Sequence, residues 1–169
     1  RAPAEFELNS VNNPVVVGNP DLKPETVQTW ELIWVGQWQY SGLSLGYFEN
    51  RFEDAIALLN VDGLSVYANT RLAPSKGFEL ELSHQLNQHW QLHTTYTHLT
   101  QTPILAFSEA TQLASFMANY QLAEMNLNFM ASYAGSREFS VNGERSQLGG
   151  YWQVFAQLNY HFSKDWQGF

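Results

Sequence analysis

Residues 18–25 read GNPDLKPE and pass directly into TVQTWELIWVGQW, residues 26–38. Pro20 and Pro24 fix their own φ and bias Asn19 and Lys23 toward extended backbone. The segment therefore hands the chain on in a set direction. In the next stretch Trp30, Leu32, Trp34 and Trp38 fall on one parity, with Thr29, Glu31 and Gln37 on the other beside Ile33 and Val35. Two unlike faces repeating every second residue mark a β-strand. A carboxylate between tryptophans then raises the deciding question: which solvent does each face meet?

The same period runs through most of the chain and predicts seven long strands, at 29–38, 42–51, 76–86, 90–100, 112–122, 125–135 and 150–162. In each, one parity is apolar, as in Phe78, Leu80 and Leu82 or Trp152, Val154 and Ala156. The other is rich in amides, hydroxyls and carboxylates, as in Glu79, Glu81 and Ser83 or Gln153, Gln157 and Asn159. Connections alternate in length. Those near residues 39–41, 87–89 and 123–124 are tight, whereas 52–75, 101–111 and 136–149 are long. An antiparallel meander with this alternation has a short-turn end and a long-loop end. The first long connection is itself expected to be a hairpin, because AIALLNV and LSVYANT flank Asp62-Gly63, a strong two-residue turn signal.

Composition narrows the class. Charged residues are 14%, well below the roughly 25% of soluble domains, so surface polarity must come from Asn, Gln, Ser and Thr. The net charge of −8 and the lack of any basic run argue against nucleic-acid binding, which needs clustered Lys and Arg. With no cysteine there is no disulfide framework and no thiolate metal site. No run approaches the ~20 apolar residues of a membrane-spanning helix.

The strands point to hydrocarbon on the apolar side. Strands of soluble proteins average about five to six residues, whereas those here approach the 9–11 tilted residues that cross a bilayer. The strand-centre charges Glu31, Glu79 and Glu81 all share the polar parity. Aromatics gather at the strand ends: Trp38, Tyr40, Trp90, Tyr120, Tyr160 and Phe162 near the tight turns, and Trp30, Tyr96, Tyr133 and Trp152 toward the long loops. Aromatic girdles at two water interfaces have this distribution. Backbone groups in lipid must all be paired, so such a sheet belongs to a closed barrel. Bacterial barrels have even strand numbers from eight upward, so seven strands imply a segment of a larger one.

The order of motifs resembles the C-terminal barrel half of TonB-dependent outer-membrane receptors. The residues concerned are RAPAEFEL at 1–8, GNPDLKPE, TWELIWVGQW at 29–38, GLSLGYFENRFEDAI at 42–56 and YANTRLAPSKGFELEL at 67–82. The resemblance implies an all-β chain, an antiparallel meander of about seven long strands plus an extracellular hairpin, forming part of a transmembrane barrel of roughly 22 strands. The plug, the first barrel half and the last strands are expected to lie outside residues 1–169, with Trp166 to Phe169 opening a further strand. The implied function is TonB-energised uptake of a scarce ligand, foremost a ferric siderophore, with cobalamin or another small ligand as further candidates. Implied partners are outer-membrane lipid and lipopolysaccharide, the TonB complex through an N-terminal region, and a small-molecule iron chelate. No cofactor is expected.

On this reading the motif loop Asn19, Pro20, Asp21, Leu22, Lys23, Pro24 and Glu25 is extracellular, and Glu31, Glu79 and Glu81 face the lumen. As a catalytic carboxylate cluster these three are outweighed by a role in pairing with plug or barrel cations. The five histidines match no metal-ligand spacing, and His84 and His98 fall on the lipid parity. Haem-transporting relatives carry a histidine between the Arg-Ala-Pro and Asn-Pro segments, and residues 4–19 hold none. Phe107, Arg137, Glu138 and Arg145 lie in long loops where they are candidates for ligand contact, or for plain solvation and packing. A passive porin or adhesin barrel, and a soluble β-sandwich binding module, are the competing readings.

The facing assignment is testable by substitution. Leu80→Arg in the complete barrel is expected to cost about 2–4 kcal/mol at the lipid midplane, and Glu81→Gln far less. Folding yield in lipid vesicles measures the difference, and equal yields would contradict the assignment.

Overall fold

The computed structural model describes residues 1–11, 13–102, 109–141, 144–163 and 166–168. The elements, in chain order, are α1 (Glu5–Asn9), β1 (Val16–Val17), β2 (Thr26–Trp38), β3 (Ser41–Glu53), β4 (Ala55–Val61), β5 (Leu64–Thr70), β6 (Ser75–Gln85), β7 (Trp90–Gln101), β8 (Gln112–Leu122), β9 (Met125–Ala134), β10 (Arg137–Val141), β11 (Glu144–Leu148), β12 (Tyr151–Ser163) and β13 (Trp166–Gly168). The seven expected strands are all present as β2, β3, β6, β7, β8, β9 and β12, within a few residues of their expected ends. The expected hairpin is β4–β5, and the expected further strand is β13.

The long strands lie in one eight-stranded sheet of order β13-β12-β9-β8-β7-β6-β3-β2. Every neighbour is the next long strand in sequence, as a meander requires. The chain divides into two compact units, residues 1–30 with 49–75, and residues 31–48 with 76–169.

The second unit is the membrane-crossing wall. Its register holds the two faces apart along the full width of the sheet. Leu80 pairs with Tyr96 and Phe78 with His98; Tyr96 pairs with Ala114 and Trp90 with Tyr120; Phe116 pairs with Ala131; and Tyr133 pairs with Trp152. On the opposite face Glu81 pairs with Thr95 and Ser83 with His93, Asn119 with Asn128, and Gln157 with Asn128. A one-residue slip anywhere would send a whole set to the wrong side. The outer aromatics touch along the rims. Trp90 and Tyr120 have ring centroids 4.8 Å apart near the tight turns, and Tyr133 and Trp152 4.9 Å apart near the long loops.

The first unit is built differently. Asp62 and Gly63 turn β4 into β5 with φ of 52° and 87°, the left-handed pair a tight hairpin requires. β1 adds to β5 in parallel, Val16 opposite Ser65 and Val17 opposite Val66. α1 and β1 have no periodic signal in the sequence. At five and two residues they are too short for one, and their surroundings hold them. The connection 136–149, expected as a plain loop, contains the hairpin β10–β11, in which Arg137 pairs with Leu148 and Val141 with Glu144. Its strands mix charged, polar and apolar residues without alternation, so period alone could not show it.

Two backbone positions are under steric pressure. A Cβ on Gly77 would lie 2.6 Å from the His98 carbonyl oxygen and 2.8 Å from the Phe48 ring, beside the register shift at Lys76/Gly77. Ala123, in the β8–β9 turn, adopts φ of 48°, a region costly for any residue with a Cβ. Gly77→Ala is expected to destabilise the complete barrel by about 1–3 kcal/mol through overpacking. Ala123→Gly is expected to stabilise it by up to about 1 kcal/mol. Urea unfolding in lipid vesicles reads both signs.

Candidate functional site

Two places in the structure concentrate chemistry, one in each unit. In the wall, the polar parity lines a trough of about 860 Å³ whose residues include Gln37, Gln91, His93, Asn119, Met130 and Gln157. The odd-numbered residues of β7, β8 and β12 and the even-numbered residues of β9 present their side chains to it, because the strands alternate faces and the turns fix the register. The opposite face holds exposed Leu82, Phe116, Trp152, Val154 and Leu158. On β2, Trp30, Leu32 and Trp34 are likewise exposed rather than sealed between two sheets, which removes the β-sandwich reading.

The trough wall is laced by neutral hydrogen bonds. The Asn119 amide donates to Asn128 Oδ1 at 2.7 Å, and the Asn128 amide donates to Asn126 Oδ1 at 2.6 Å. The hydroxyls of Thr95 and Ser115 meet across β7 and β8 at 2.7 Å. Glu79 and Glu81 stand two residues apart on this face. The position of a Cβ on Gly46 lies 3.8 Å from Glu79 Cβ and 3.9 Å from Ile33 Cγ1, so Ile33, and by parity Glu31, share that side. The Glu81 carboxylate is 3.9 Å from His93 Nε2. At the tight-turn end, the Ser41 hydroxyl meets His84 Nδ1 at 2.7 Å. Among the described residues no group of three His, Cys, Asp or Glu is placed to hold a metal ion.

In the first unit the motif loop is clasped by Asn69. Its Oδ1 accepts the Lys23 N–H at 2.8 Å, while its Nδ2 donates to the Lys23 carbonyl at 2.9 Å and the Asp54 carbonyl at 2.7 Å. One amide side chain thus imitates a strand neighbour for Lys23. Asn19 works in the opposite direction, donating from Nδ2 to the Tyr67 carbonyl at 3.1 Å and accepting the Asp21 N–H at 3.0 Å. Leu22 is buried. The Glu25 carboxylate accepts from Arg1 Nε at 2.9 Å and from the Ile56 N–H at 3.1 Å. Arg1 also grips Glu7 through both terminal nitrogens, at 2.9 and 3.0 Å. Phe6 meets the Tyr67 ring edge-on at 6.0 Å. Two motifs far apart in the chain, NPDLKPE and Tyr67-x-Asn69, are therefore halves of one fastening. The Arg1–Glu7–Glu25 network has no spacing signature and was invisible in the sequence.

Of the loop candidates, the Arg137 guanidinium lies 6.0 Å from the centre of the Tyr151 ring, and Glu138 is exposed in β10. Arg145 sits in β11 opposite Ser140. Phe107 lies outside the described residues.

Comparison with known proteins agrees with this construction. The family profile "TonB dependent receptor-like, beta-barrel" matches residues 1–168. The chain belongs to that family, and its place is the Gram-negative outer membrane. No curated protein sequence matches it. Among solved structures it is similar to the siderophore receptor PirA from Acinetobacter baumannii, at 20% identity and a TM-score of 0.74 over 88% of this chain and 27% of that one. It is similar to the ferric enterobactin receptor PfeA in complex with BCV-L6, at 20% identity and a TM-score of 0.73 over 88% and 26%. It is also similar to the copper transporter OprC, at 14% identity and a TM-score of 0.73 over 97% and 27%. The chain thus spans about a quarter of the length of these proteins.

The fastening has a pH dependence. The Arg1 hydrogen bonds, and then the Ala4 N–H, hold the Glu7 carboxyl below its ordinary 4.5. The stabilisation is complete above that value and disappears as pH falls through the lowered one. Hydrogen exchange at Ala4, whose N–H donates to Glu7 at 2.7 Å in the network that anchors the motif loop, is expected to quicken as the pH drops below about 4.5, after correction for intrinsic exchange. Asn69→Ala is expected to open the same loop at neutral pH by about 1–3 kcal/mol, whereas Asp21→Ala should leave it closed.

Proposed function

We propose that this chain is part of the barrel wall of a receptor that takes up a ferric siderophore, driven from the inner membrane through TonB. Membership of the TonB-dependent receptor family supports an uptake receptor. The observation that carries the reading is the trough: a neutral, amide-lined wall set back-to-back against an apolar face with aromatic rims. That arrangement suits a polar solute passing through a protein surrounded by lipid. The siderophore as ligand class is supported by the likeness to the siderophore receptor PirA and the ferric enterobactin receptor PfeA.

The residues singled out in the sequence take roles accordingly. Glu31, Glu79 and Glu81 meet cations of a plug in the lumen. The loop from Asn19 to Glu25 is an extracellular clamp that sets the entry angle of β2. The β10–β11 hairpin, which carries Arg137, Glu138 and Arg145, is the contact surface for arriving ligand.

The test uses the complete receptor in outer-membrane vesicles and in cells. A panel of ferric siderophores, haem and cobalamin is offered, and accumulation is followed with and without TonB. The expected result is saturable accumulation of one ferric chelate that stops when TonB is removed. Accumulation indifferent to TonB would instead support a passive pore. Accumulation of cobalamin alone would replace the ligand while keeping the transporter.

A further inference from the structure

One row of the trough differs chemically from its neighbours. The register sets His93 opposite Met117, Met117 opposite Met130, and Met130 opposite Phe155. All four line the trough. On one side of this row run the hydroxyls and amide of Thr95, Ser115, Ser132 and Gln153, and on the other the amides of Gln91, Asn119, Asn128 and Gln157. The chain has three methionines. Two of them are in this row, while the third, Met125, pairs with Leu122 on the lipid face.

We propose that His93, Met117 and Met130 form a binding site for a soft monovalent cation, Cu(I) or Ag(I), on the lumen wall. Thioether sulfur is a soft ligand that selects such ions, and imidazole accompanies it well. Side chains directly opposite on adjacent strands have Cβ atoms about 4.5–5.5 Å apart. A flexible methionine at the centre, with a second methionine and an imidazole on either side, can therefore close three donors on one ion. Met117 and Met130 are 41% and 37% exposed, so the sulfurs are open to the trough. The Glu81 carboxylate, 3.9 Å from His93 Nε2, supplies the outer partner that orients a ligating imidazole and strengthens it as a donor. Among the described residues lining the trough there is no lysine or arginine, so nothing there repels a cation. Phe155 completes the row with a ring face able to attract positive charge. The site rests on the lumen reading of this face but not on the siderophore, and adds a second cargo chemistry to the wall.

The experiment uses the complete receptor in detergent, with Ag(I) as the probe and Mg²⁺ as the hard-cation control. Retained metal is measured after desalting. Wild type is expected to retain one Ag(I) equivalent more than Met117→Leu/Met130→Leu, which keeps apolar volume and loses both sulfurs. Glu81→Gln is expected to weaken Ag(I) binding about tenfold, and neither variant should change Mg²⁺ retention. Heat-dependent mobility in detergent gels confirms that each variant is a folded barrel. Equal Ag(I) retention by wild type and the double leucine variant overturns the site. So does an absence of Ag(I) on the wild type. A receptor that imports a ferric chelate but shows either result loses this site and keeps the uptake reading. One that holds Ag(I) at the row and imports nothing from the panel does the reverse.

Discussion

Hydrocarbon offers a peptide group no hydrogen-bond partner, and everything else in this wall stems from that constraint. Each strand must be paired along its whole membrane-crossing length, so the ladder is long, regular and intolerant of slips. Regularity gives strict alternation of side chains. Alternation lets a single sheet carry Leu80, Phe116 and Trp152 on one face and Glu81, Ser115 and Gln153 on the other, although consecutive residues are neighbours in the chain. The one marked departure within the β6–β7 ladder, at Lys76/Gly77, lies at the long-loop end, where water can meet any group the ladder misses.

That same regularity made the wall legible. Seven strands, their two faces, the tight turns and the Asp62-Gly63 hairpin could be read because each depends on a local rule repeated many times. What escaped depends on partners distant in the chain. α1 persists because Arg1 and Glu7 hold its start, and β1 because β5 is there to receive it. The β10–β11 hairpin lacks an apolar parity of its own. In the trough, Met117 was readable on the polar face, but its alignment with Met130 and His93 needed the register, which no single strand contains.

The clasp around Lys23 solves a different problem. A loop with prolines at 20 and 24 forms little backbone pairing, yet it is held in one conformation. Asn69 replaces the missing ladder with one side chain, and Glu25 ties the loop to both Arg1 and the start of β4. The loop's own path is stiffened by proline and then locked by amides. This explains why residues so far apart as Asn19 and Asn69 carry the same side chain.

The run of asparagines from 119 through 128 to 126 has a further effect on the water beside it. Asn119 and Asn128 each spend one amide N–H on the next carboxamide in the run. Such a surface is wettable, and the two bonds hold the carboxamides in fixed orientations while leaving their other N–H groups to water. It also has no net charge, so it neither traps nor expels a charged solute. The row is thus a prearranged, uncharged lattice of amides against which water can order and exchange.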